Sequence, residues 1–271
     1  MKKVLSLVLA AVLCIGLFGC GNSGSGASSS AAGSSAAAKT TFTVGFDKDF
    51  PPYGFVDDNG KYTGFDIELA TEAAKRMGLE LKLQPIDWDA KDMELKTGAI
   101  DCIWNGFTIN GREDQYTWTK AYMNNSQVFV VKNNSGINSF ADLKGKIVTV
   151  QTDSSAQEAL EDAKNADLKK SFKEVVVCKD YNAAFMDLSS GAVDAIAMDV
   201  GVAKYQITTR KADFKVLDGS IAEEQYGVGF LKGNTELKDK VEKTLEEMVK
   251  DGTFATISKK WFNEDVGIIG K

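Results

Sequence analysis

Three sites in this chain have the residue types to grip a small zwitterion, and each follows an apolar run. Arg112 comes after Ala99 to Trp104 and the segment Asn105-Gly106-Phe107-Thr108-Ile109-Asn110-Gly111. A guanidinium is a planar fork that holds a carboxylate through two parallel N–H bonds. Ser154 and Ser155 follow the run ending at Val150 and open a helical stretch, where hydroxyls and backbone N–H groups bind anions. Asp199 closes Ala195-Ile196-Ala197-Met198, and a carboxylate at the carboxyl end of a strand can accept an ammonium. An α-amino acid needs such a set: a fixed cation with neutral donors, and an anion opposite. Plainer readings stand beside these. Arg112 would also suit a solvated face, the serines a helix cap, and Asp199 an N-cap for the helix starting at Val200.

Two aromatic residues lie outside ordinary core settings. Phe50 precedes Pro51-Pro52 and Trp88 stands between Asp87 and Asp89. Aromatic faces bury CH₂ groups and attract cations. Trp104 fits a core as well as a wall.

These residues need elements to position them. Thr41 to Phe46 reads as a strand and Gly54 to Gly64 as a hairpin about Asp57-Asp58-Asn59-Gly60. Ile67, Ala70, Ala74 and Met77 repeat at helical spacing over Phe65 to Met77, and Gly78 sits at the stop. A strand over Leu79–Leu83, a helix over Asp89–Thr97 and a strand over Ala99–Trp104 follow. A second α/β round runs from Val128 to Thr209. A further strand, Gly227 to Leu231, precedes helices over Glu236–Lys250 and Phe254–Phe262. Alternating strands and helices imply mostly parallel sheets with helices on both faces. The last helices need the first sheet, so the chain should cross twice between two lobes. Lobe 1 is expected over 40–128 plus 227–271 and lobe 2 over 129–226. Ligands in open α/β sheets bind beyond the carboxyl ends of strands, and two facing lobes put those ends into one cleft.

Composition narrows the classes. The 271 residues carry 32 Lys+Arg against 38 Asp+Glu, a net charge of -6, so a nucleic-acid partner is not expected. There is no histidine, which removes the commonest general base and the commonest metal ligand. No metal or cofactor is expected. Lys2 and Lys3 precede an apolar run, Val4 to Phe18, ending at Gly19-Cys20, and a Ser/Gly/Ala tract follows to Ala38. This is the grammar of a secretory signal over 1–19, with a disordered tether over 20–39. Leu17-Phe18-Gly19-Cys20 resembles a lipobox, in which Cys20 is lipidated and anchors the chain outside the cell membrane. An ordinary cleaved signal with an incidental cysteine is the other reading. Cys102 and Cys178 sit in apolar settings and read as free thiols, with a disulfide left open.

Gly64-Phe65-Asp66-Ile67-Glu68-Leu69-Ala70 resembles the signature segment of the family 3 bacterial solute-binding proteins, receptors of ABC importers for polar amino acids. The resemblance continues in order through Asp47–Tyr53, Ile86–Asp89, Asp101–Arg112, Ser139–Lys146, Gln151–Ser155, Ala195–Asp199, Gln225–Phe230 and Asp251–Phe262. It implies a two-lobed periplasmic-binding-protein-like (type II) α/β fold, joined by two crossing strands. It also implies a monomer that delivers a polar L-amino acid to a permease. By the resemblance, Arg112 clamps the ligand carboxylate beside Asn105, Gly106 and Thr108, and Ser154 and Ser155 grip it from the other lobe. Asp199 takes the ammonium, and Phe50 and Trp88 sandwich the aliphatic part. Asp47 matches the aspartate that meets the side-chain cation in relatives binding basic amino acids, with glutamine and cystine left open. Asp153 stands where a glycine is usual and is read as a helix cap. The competing class is an extracytoplasmic enzyme on the same fold, a cyclohexadienyl dehydratase, with Glu223 or Glu224 as the general acid.

Overall fold

The computed structural model describes residues 39–211 and 213–271. The expected signal, Cys20 and the tether as far as residue 38 lie outside the described residues. In chain order the strands and helices are β1 (Thr41–Phe46), β2 (Asp49–Phe50), β3 (Gly54–Val56), β4 (Tyr62–Thr63), α1 (Phe65–Met77), β5 (Glu80–Pro85), α2 (Lys91–Thr97), β6 (Cys102–Thr108), β7 (Tyr116–Trp118) and β8 (Met123–Lys132). They continue with β9 (Ile147–Gln151), α3 (Ser155–Glu161), α4 (Ala166–Ser171), β10 (Glu174–Cys178), α5 (Tyr181–Ser190), β11 (Ala195–Asp199), α6 (Val200–Arg210), β12 (Phe214–Val216), β13 (Ala222–Leu231), α7 (Thr235–Lys250) and α8 (Thr253–Phe262).

The main sheet has the strand order β10-β9-β11-β8-β13-β6-β1-β5, with β12 beside β8 and β7 beside β13. β5, β1 and β6 are parallel on one side, and β10, β9 and β11 are parallel on the other. Between them, β8 and β13 run antiparallel, with Asn125 opposite Glu224 and Met123 opposite Tyr226. Every residue of β6 and of β11 is buried, as expected of strands covered on both faces.

The helices follow their apolar faces. In α1, Ile67, Ala70, Ala73 and Ala74 turn inward. The helix ends at Gly78, whose φ of 68° lets its N–H reach the carbonyls of Ala74 and Lys75. α7 buries Leu237, Val241, Leu245 and Met248 against α1 and α8.

Several boundaries differ from the sequence expectations. β6 starts at Cys102 rather than Ala99 and runs through Thr108, so Asn105 to Thr108 is strand rather than loop. β8 starts at Met123 rather than Val128, and β13 at Ala222 rather than Gly227. The added residues are polar, yet they pair with each other across β8 and β13, so tertiary pairing overrides local composition. β7, β12 and α4 had no counterpart in the sequence reading.

Candidate functional site

The carboxyl ends of four strands converge. β1 leads into Asp47 and then Phe50, and β6 delivers Asn105, Gly106 and Thr108. Gly106 has φ +57°, and a Cβ there would meet Phe50 and Tyr226 at 3.1 Å, so only glycine suits the position. Its N–H donates to Asp66 Oδ2 at 2.5 Å, and the Tyr122 hydroxyl donates to both oxygens of the same carboxylate at 2.9 and 3.0 Å. Burial pushes Asp66 up to about 7, with those two donors opposing the rise. Asp66 therefore works beneath the site, holding the β6 backbone in place.

From the other side, β9 ends at Gln151 and α3 opens after Ser154. Ser154 is the cap: its hydroxyl accepts from Gln157 N at 3.2 Å and donates to the Gln151 carbonyl at 2.8 Å. Asp153 is not the cap that the sequence suggested. It sits at φ +58°, in the left-handed region where glycine is favoured, and its carboxylate pairs with Lys91 of α2. Asp199 begins α6 without capping it.

The two sides of the sheet meet through polar contacts. Arg112 Nη1 donates to Ser155 Oγ at 2.9 Å and to the Thr108 carbonyl at 3.4 Å. Trp88 Nε1 donates to the Asp153 carbonyl at 3.2 Å. Gln151 Nε2 donates to Asp47 Oδ2 at 2.8 Å, while Asp47 Oδ1 accepts from Asp49 N. Asn182 donates to Asp49 and Lys179 pairs with Asp87. Between the sides lies a nearly closed gap of about 10 Å³, lined by Phe50, Trp88, Asn105, Gly106, Gln151, Ser154, Ser155 and Asp199.

The family described as bacterial extracellular solute-binding proteins, family 3, matches residues 42–264. The chain belongs to this family. Among its relatives, the L-cystine-binding protein TcyA of Bacillus subtilis is 33% identical, covering 98% of this chain and 99% of its own. The L-cystine-binding protein TcyJ of Escherichia coli is 33% identical over 83% of this chain and 84% of its own. A crystal structure of an ABC uptake transporter substrate binding protein from Streptococcus pneumoniae with bound histidine is 37% identical. Its TM-score is 0.81, and the match covers 84% of this chain and 94% of that one.

In this family 3 solute-binding protein, seven residues named from sequence share the cavity wall: Phe50, Trp88, Asn105, Gly106, Ser154, Ser155 and Asp199. The other three stand behind it. Asp47 reaches the wall through Gln151, Arg112 through Ser155, and Thr108 offers its carbonyl to Arg112. Arg112 is not solvated but only 2% exposed. Glu158 Oε1 lies 2.8 Å from its Nη2, yet no oxygen accepts that N–H along its axis. Both amide atoms of Asn105 and the Thr108 hydroxyl are also buried without partners. Trp104 is core. Cys102 and Cys178 are free thiols, the first buried and the second half-buried.

Apart from Glu224, named as a possible general acid, sequence reasoning missed the floor of the site. Asp199 Oδ1 accepts from Asn125 Nδ2 and Gln127 Nε2, both at 2.8 Å, and from the Tyr226 hydroxyl at 2.5 Å. The same two amides donate to Glu224 Oε1 at 2.5 and 2.7 Å. Burial raises the Asp199 carboxyl above its ordinary range, opposed by its donors. Burial and the Asp199 charge push Glu224 up to about 8. Asn125, Gln127, Glu224 and Tyr226 all sit on the crossing strands. For Asn125 and Gln127 the signal was the polar run Asn124-Asn125-Ser126-Gln127 leading into the apolar Val128–Val131.

Proposed function

We propose that this extracytoplasmic solute-binding protein captures one polar L-amino acid, preferably a basic one, and delivers it to the permease of an ABC importer. The carrying observation is one gap lined by Phe50, Trp88, Ser154, Ser155 and Asp199, with Arg112 bonded to Ser155 behind its wall. The ligand carboxylate goes to Arg112, Ser154 and Ser155, with the Asn105, Gly106 and Thr108 groups assisting. The ammonium goes to Asp199, and Asp47 favours a side-chain cation. The named ligands of the relatives, cystine and histidine, belong to the same chemical class.

In this reading, residues 40–128 with 227–271 form one lobe and 129–226 the other. β8 and β13 are the hinge. A ligand touching both lobes shifts the population toward the closed form, which docks on the permease. A lipid on Cys20 holds the monomer at the cell membrane. Among the described residues no helix is long and apolar enough to cross a membrane.

Glu224 favours one second reading, cyclohexadienyl dehydratase-like chemistry, because its carboxyl is held protonated near neutrality. It lines the neighbouring cleft rather than the cavity, which weighs against contact with a ring there. A thermal-shift screen of the full chain against the common amino acids and cystine tests the binding reading, since a ligand of the native state raises the melting temperature. No shift with any amino acid, together with turnover of a cyclohexadienyl acid, would replace it.

A further inference from the structure

Two buried carboxylates share the floor of the site without a cation to hold them. Asp199 is 4% exposed and Glu224 5%. The four N–H bonds of the Asn125 and Gln127 side-chain amides all end on two oxygens, Asp199 Oδ1 and Glu224 Oε1. Asp199 Oδ2 and Glu224 Oε2 receive no hydrogen bond among the described residues. Nor does any lysine or arginine nitrogen of those residues come within 4.0 Å of either carboxylate. The strand registers bring this about: Gln127 stands opposite Asp199 on β11, and Asn125 opposite Glu224 on β13.

Two anions this close, held only by neutral amides and hydroxyls, do not both stay ionised. We propose that Asp199 and Glu224 act as one acceptor, which keeps a shared proton until a ligand ammonium replaces it. This deepens the amino-acid reading and rests on it. Asp199 faces the ligand cavity, and Glu224 faces the adjoining cleft lined by Asn110, Gly111 and α3. The ammonium enters on the Asp199 side with its own three protons. The shared proton leaves from the Glu224 side to solvent, so one cation arrives and one departs.

The neighbouring groups agree with this exchange. Tyr226, Tyr53 and Tyr181 face the pair as buried phenols whose own pKa values burial raises, so they stay neutral. The cleft outside Glu224 carries Asp153, Glu158, Glu161, Asp162 and Glu223. Its lysine, Lys164, is 3.6 Å from Asp162. Among the described residues no lysine or arginine pairs with Asp199 or Glu224 in place of the proton.

The test is calorimetry on the full chain with L-arginine, L-glutamine and L-cystine, in phosphate and in Tris, from about pH 6 to 8. The heats should differ between buffers by the ionisation of roughly one proton per ligand at pH 7. Affinity should rise with pH by up to about tenfold per unit before levelling off. Glu224→Gln should fold, bind, release almost no proton and flatten the pH profile, because its amide stands for the protonated acid. Glu236→Gln, an exposed acid on α7 away from the pair, should leave proton release unchanged. Equal heats in the two buffers for the wild type, or release that persists in Glu224→Gln, overturns the shared proton while leaving amino-acid capture intact. No binding of any of the three amino acids overturns both.

Discussion

Glu158 Oε1 lies 2.8 Å from Arg112 Nη2, so one arm of the buried arginine rests against a carboxylate of the protein itself. Glu158 is on α3 while Arg112 follows β6, so this pair spans the two sides of the sheet. Its side chain is 48% exposed and that of Arg112 3%. A ligand carboxylate competes with Glu158 for the same nitrogen. Arg112→Ala should therefore weaken amino-acid binding by about 2–4 kcal/mol, the cost of leaving a buried ligand charge without its partner. Glu158→Gln should strengthen binding by up to about fivefold, because the competitor loses its charge. Titration calorimetry reads both, and a loss below tenfold for Arg112→Ala would move the carboxylate site elsewhere.

On the proposed reading, Asp199 is costly to the empty protein and useful to the occupied one. It is buried beside Glu224 and held only by neutral donors. Asp199→Asn should raise the melting temperature measured without ligand, by relieving a buried charge, and lower amino-acid affinity at least about a hundredfold. A variant that lost both stability and affinity would mark Asp199 as a structural residue.

Asp47 bonds Gln151 across the gap, and burial holds its carboxyl up to about 6. Asp47→Asn keeps an acceptor for Gln151 but removes the charge. L-arginine and L-lysine should lose at least about tenfold more affinity than L-glutamine. Equal losses across the three would make Asp47 a loop anchor without a part in selectivity.

Asp47, Asp66 and Glu224 give the fold an unusual pH response. All three are acids raised by burial, to about 6, 7 and 8. Between their unfolded values and these, the folded chain binds more protons than the unfolded one. The stability this lends is complete below about pH 4 and is lost as pH climbs through the folded values. Urea denaturation of the unliganded protein should show about 2–4 kcal/mol less stability near pH 8.5 than near pH 5.5. Asp66→Asn should flatten the profile around pH 7. Stability rising over that interval would mean these carboxylates are ionised in the folded state.

How legible each part was depends on where its partners lie. α1 could be delimited to the residue, because its apolar spacing and the glycine at its end are local. Of the wall residues, Ser154, Ser155 and Asp199 were named from their places after apolar runs, Phe50 and Trp88 from their settings outside ordinary core strands, and Asn105 and Gly106 from the family resemblance. The polar first halves of the two crossing strands were not, since Asn124 to Gln127 and Glu223 to Gln225 become strand only by pairing with each other across about a hundred residues. Asp153 could be seen as an acid before a helix. Its left-handed backbone and its partner Lys91 come from the fold. Glu224 was noticed as a possible acid, but the amides that join it to Asp199 belong to a strand whose polar half had not been read.

The indole of Trp88 rests edge-on against Phe107 at 5.5 Å and is bonded across the gap to the Asp153 carbonyl. It is thereby a built-in optical gauge. Drawing the gap apart hands the ring to water and reddens its emission, and shutting it does the reverse. Trp104 is fully buried in the core and stays dark to the motion. If the lobes close as proposed, the share of emission from Trp88 reports occupancy in real time and without a dye.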